Sequence, residues 1–202
     1  MVAHAGIDDI LDFWFGPLDE HGCADSRHAA RWWKKDAAFD DEIRRRFGGL
    51  HRAIAASELD EWLTDPRGRL AQIVALDQFS RNMFRDSPAM FAGDARALEL
   101  ARQGFERGDD RALGLDERLF MLMPLVHSEE IANQDRAVQL VTALCDAAPA
   151  SARERSAAAL RFAEMHRDIV RRFGRFPHRN ALLGRASTEE EIAFLQQPGS
   201  RF

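Results

Sequence analysis

Within the apolar run LAQIVALDQFSRNMF, an aspartate and an arginine stand four residues apart, Asp77 and Arg81. At about 100° per residue, a helix places both in the arc of Leu70, Ile73, Val74 and Phe84, facing the core. Buried charges need partners, and the i, i+4 spacing lets these two pair with each other, while Gln78 and Asn82 form a second polar ridge beside them. A second break in the pattern is His127, which leads the stripe Ile131, Gln134, Val138, Val141, Cys145, with Glu130 one turn away. A third is His166, set among Phe162, Ile169, Val170 and Phe173. Imidazole can take or give a proton near neutral pH, and an adjacent carboxylate orients it and raises its pKa. The candidate acid–base groups are therefore His127 and His166, with Asp77 and Glu130 to orient them.

The fourth polar segment is FGRFPHRNALLGR, in which Gly174 ends a helix and Pro177 stiffens a loop. Between Arg161 and Arg185 seven arginines face only Glu164 and Asp168, a basic island in an acidic chain. Arginine forks suit carboxylate or phosphate, so the island points to a small anion, not a long polyanion. Candidate ligand-binding residues are Arg81, Asn82, Gln134, Arg175, His178, Arg179 and Asn180. The competing reading is that these arginines pair with acids such as Asp77, Glu129 or Glu130 and lock helices together. The P-loop, dinucleotide-binding, nucleophile-elbow and HExxH motifs are all absent. Only a reversed His127-x-x-Glu130 resembles a helical metal pair, so neither metal nor cofactor is expected. Ser128 adjoins His127, but neighbours on a helix face apart, which leaves no nucleophile–base pair there.

Helical periodicity must position these groups. Period-two alternation is sparse, and Ala, Leu, Arg and Glu dominate, so the fold class is all-α with no sheet. Expected helices run from about Asp8 to Phe15, from Ser26 to a break near Asp36 and on past Ile54, and from the Asp65-Pro66 cap to about Phe84. Others start at Asp94 and end at Gly108, start at Asp116 and bend or restart at Pro124, and run from His127 to Ala147. A long one from Ser151 closes at Gly174, and the capping box Thr188-x-x-Glu191 opens a last short one, about nine in all. No 34-residue repeat is visible.

At 202 residues, 46% hydrophobic and 30% charged, the chain fits one globular, all-helical domain over residues 1–202. Its apolar runs are too short to span a bilayer, and its N-terminus lacks a basic region before the apolar stretch. A net charge of −5 opposes nucleic-acid and acidic-membrane partners. Cys23 and Cys145 lie far apart with no CxxC spacing, which suits a reducing cytoplasm.

The segments LDQFSRNMFR, PLVHSEE with Gln134, and FGRFPHRNALLGR, together with ILDFWFG, RWWKKDAAFD and STEEEIAFL, resemble the bacterial domain of unknown function 924 family over nearly the whole chain. The resemblance implies a tetratricopeptide-like fold, an antiparallel helix-pair arrangement in a right-handed superhelix, and no assigned activity. Met121 and Met123 stand where aromatic residues, often tyrosine, are more usual in the family. The chain has no tyrosine, so a phenol-dependent step has no donor there.

Two readings follow. In one, Arg81, Arg175 and Arg179 hold a small anionic ligand while His127 or His166 moves a proton. In the other, the polar motifs are locks in a non-catalytic adaptor for a peptide or protein, favoured if Trp14, Trp32, Trp33 or Trp62 form an exposed patch. RNA binding ranks below both because no exposed aromatics interleave with the arginines.

Overall fold

The computed structural model describes residues 3–200. Among them the chain forms α1 (Ala3–Phe15), α2 (Ser26–Trp32), α3 (Ala37–Ala55), α4 (Pro66–Ile73), α5 (Ser80–Met83), α6 (Asp94–Arg107), α7 (Leu115–Val126), α8 (Ile131–Ala147), α9 (Arg153–Phe173) and α10 (Glu189–Leu195). A π-helical turn, Val74–Phe79, joins α4 to α5 without a break, so residues 66–83 act as one central helix. Among the described residues there is no strand, only an isolated bridge between Leu18 and Ala24. No helix among them is long and apolar enough to cross a membrane.

The helix ends follow their sequence signals. Asp36 accepts hydrogen bonds from the amides of Ala38 and Phe39, and Asp65 accepts from that of Arg67 ahead of a first-turn proline. Gly174 closes α9 at φ 68°, a left-handed conformation that favours glycine. Thr188 and Glu191 exchange the two bonds of a capping box. Gly22, also left-handed, lies against the start of α7 so closely that a Cβ would fall 2.2 Å from the Gly114 Cα.

One apolar core is built by α1, α3, the central helix, α6 and α7, around Trp14, Phe15, Ile43, Leu70, Phe79 and Phe120. A second is built by α7, α8 and α9 around Leu122, Leu125, Val126, Val141 and Ala163. Helix α7 is shared between them, and Phe162 packs against both. The central helix is buried along nearly its whole length, which accounts for the cost its charged residues must offset by pairing.

Two expected boundaries are corrected, and the first is that of α1, which begins at Ala3 and not near Asp8. Helix α8 begins at Ile131, and His127 is the residue that ends α7. The Gln134 side chain donates to the carbonyls of Val126 and Ser128 at 2.6 Å each, capturing oxygens that a continuing helix would use. Pro124 lies inside α7, which runs two residues past it and then stops.

Candidate functional site

The π turn holds Asp77 fully buried at the centre of the molecule. One Asp77 carboxylate oxygen lies 2.8 Å from His127 Nδ1 and the other 2.9 Å from it, and Arg81 approaches the carboxylate to 3.0 Å. Gln78 Nε2 donates to it at 2.7 Å. Burial opposes ionisation of Asp77, but Arg81 and His127 outweigh it and hold its pKa at about 2. An ionised carboxylate only accepts, so Nδ1 of His127 carries the proton and Nε2 is the basic nitrogen. Burial, and then the positive field of Arg81, lower the His127 pKa despite Asp77. The imidazole is therefore neutral near pH 7 and able to accept a proton at Nε2.

Arg81 also grips Asp94, the first residue of α6, with two bonds of 3.0 and 3.2 Å. On the far side of Asp94 lies Arg179, whose Nη1 reaches the same carboxylate at 3.5 Å. The Arg179 guanidinium packs over Phe91 at 4.8 Å and over Phe176 at 4.5 Å. It is only 7% exposed, and its Nε has no hydrogen-bond partner among the described residues. Burial, and then repulsion from Arg81, bring its pKa down to about 10.

Two further histidines border this group. His166 is buried, its ring 6.4 Å from that of His127, and its Nδ1 donates to the Phe162 carbonyl at 2.8 Å. Burial, then the proximity of His127, lower its pKa to about 3. His178 lies against Phe176, and burial, then Arg179, lower its pKa to about 4.

Of the candidates read from the sequence, the structure thus brings together Asp77, Arg81, His127, His166, His178 and Arg179. It does not bring in the others. Glu130 is exposed at the start of α8 and accepts from Asn133, so the carboxylate that orients His127 is Asp77. Asn82 donates to Asp40, which Arg85 also holds. Arg175 forms a two-bond pair with Glu191, and Asn180 donates to Ser187 and Glu191, closing the loop before α10. Gln134 fixes the turn that carries His127.

Residues 10–199 match the model of a family described as bacterial protein of unknown function, DUF924. The chain belongs to the DUF924 family. A solved structure of a protein of unknown function from Agrobacterium tumefaciens is 40% identical, with a TM-score of 0.82 over 96% of this chain and 98% of that one. A comparison with curated proteins finds no match. The span shared with DUF924 contains every residue of the polar cluster.

Within this DUF924 chain the cluster has members that sequence reasoning passes over. Asp94 enters the sequence reading only as a helix start, yet it is the carboxylate that Arg81 and Arg179 share. Phe91 and Phe176, which clasp Arg179, carry no spacing signal because each sits in a short irregular segment. Glu129 accepts from the Phe176 amide at 2.8 Å and from Arg185 at 2.6 Å, tying the HSEE turn to the FPHRN loop. That tie holds the loop that carries Arg179 against the turn that carries His127.

Proposed function

We propose that this cluster binds a small anion, a carboxylate or a phosphate group, on Arg81 and Arg179, and that His127 accepts a proton from the bound molecule at Nε2. Asp77 is then the positioning residue that fixes the tautomer and ring of His127. The observation that carries the reading is the Arg179 guanidinium, buried between two aromatic rings with an unsatisfied Nε. A buried guanidinium with an open donor is costly to maintain, and an anion on that donor would relieve the cost. Asp77 and Asp94 formally balance the two arginines, which favours a ligand of low charge over a polyanion.

The reading includes a cytoplasmic location, supported by two free cysteines, and tetratricopeptide-like stacking, supported by the packing of α7 on α8 and α8 on α9. Its test is a calorimetric titration with malonate and with inorganic phosphate. Wild-type protein is expected to bind one of them saturably. The Arg179→Met variant, which keeps an aliphatic stem between Phe91 and Phe176, should lose about tenfold or more in affinity, equivalent to about 1.4 kcal/mol. Equal affinity in the two proteins, or no saturable binding in either, overturns the proposal.

A further inference from the structure

A cavity of about 330 Å³ lies between α2, α7, α8 and α9, and none of the anion-site residues lines it. Its walls are Trp32, Trp33, Leu122, Met123, Phe162 and a run of small residues on α9 centred on Ala159. The charged wall residue, Arg155, is committed to the buried Asp116 carboxylate and to the Ala24 carbonyl. The cavity therefore offers a ligand apolar surface and no spare charge. Trp33 at its edge is 58% exposed, whereas Trp14 and Trp62 are buried. A large ring left in water beside an open apolar space is a cost with no structural return.

We infer that this cavity is a binding site for a neutral, flat apolar molecule of about two fused rings. Size is set by volume: an apolar cavity of roughly 150 Å³ accepts a benzene ring, and this one is about twice that. Shape is set by the rings. Trp33 stands 5.7 Å from Phe162 and 6.0 Å from Phe120, and Trp32 meets Trp33 edge-on, so aromatic faces and edges already surround the space. With Arg155 paired to Asp116, the cavity walls offer a ligand no unpaired charge, which selects against charged ligands and separates this site from the one around Arg179.

Phe162 gives the site a route to the first one. Its ring lines the cavity and also packs at 4.1 Å on the ring of His166, which neighbours His127. The inference itself stands on the cavity alone and does not need an anion to bind at Arg179.

The test uses prodan, a neutral naphthalene fluorophore whose emission moves to the blue out of water. The full-length protein is expected to bind one equivalent saturably, with a blue shift and quenching of tryptophan emission. Ala159→Phe fills the cavity from its centre and should weaken binding at least tenfold. Trp33→Ala removes a largely exposed ring without opening the core, and should weaken binding and reduce the quenching while leaving the circular dichroism unchanged. Malonate or phosphate titrations of both variants should match wild type. The inference is overturned if prodan shows no saturable shift, or if Ala159→Phe and Trp33→Ala both fold and bind it as wild type does.

Discussion

Acidifying the protein from neutrality to about pH 4.5 is expected to unfold it, with the loss of stability beginning near pH 6.5, above the range in which ordinary carboxylates titrate. His166 and His178 are held neutral by burial, with pKa values lowered from 6.5 to about 3 and about 4. The unfolded chain takes up these protons as pH falls through 6.5, while the native state does not. Their contribution is therefore fully present above pH 6.5 and is lost progressively below it. Two pH units below that point, each costs about 3 kcal/mol of stability, and together they approach the total stability of a typical domain. His127, shifted in the same direction, adds to the loss. Asp77 behaves differently: its lowered pKa gives stability that persists until pH falls below 3.8. Urea melts at successive pH values check this, with His166→Phe expected to flatten the slope between about pH 6.5 and 4.5. Constant stability down to pH 4, followed by collapse only in the carboxylate range, would contradict it.

Replacing Asp77 with Asn is expected to be the most damaging single substitution of comparable size. The Asn side chain fits the space but removes the charge that Arg81 and His127 share. Breaking a buried ion pair from one side costs about 3 to 5 kcal/mol, because the remaining charge stays desolvated. Arg81 retains Asp94, so the lower end of that range applies, roughly a 10 °C fall in Tm for a chain of this size. The change also inverts the imidazole. An amide NH2 facing Nδ1 makes Nδ1 the acceptor and moves the proton to Nε2, abolishing the basic nitrogen. Asp77→Asn should therefore lose any proton-transfer activity even at temperatures where it remains folded. A melt within about 2 °C of wild type would show that the charge is not structurally needed.

How far the sequence discloses this site depends on what kind of residue is asked about. Asp77 and Arg81 are legible because they break a strong helical pattern, and burying two charges demands a physical reason. The π turn around Asp77 is not legible, since a helical wheel assumes a uniform 100° step that the turn relaxes. His127 reads correctly as an inward histidine but for an incomplete reason. It ends α7 and is aimed by the captured carbonyls around Gln134, not by a stripe along α8. Glu130 and Arg175 lie near the right segments in sequence, yet each finds a nearer partner than the cluster. Asp94 and Phe176 join the cluster only through tertiary contacts, Asp94 with Arg81 and Arg179 and Phe176 with Arg179, which no local pattern encodes.

In the proposed site His127 presents a basic Nε2 beside an anion held by Arg81 and Arg179. Long-range proton–nitrogen NMR on histidine-labelled protein at pH 7 reads it directly, because the two ring nitrogens report which one carries the proton. His127 is expected to be neutral and protonated at Nδ1, with an Nε2 signal that moves saturably as malonate or phosphate is added to wild type but not to Arg179→Met. A His127 protonated at Nε2, or an Nε2 signal that ignores both anions at concentrations that saturate the calorimetric titration, would contradict it.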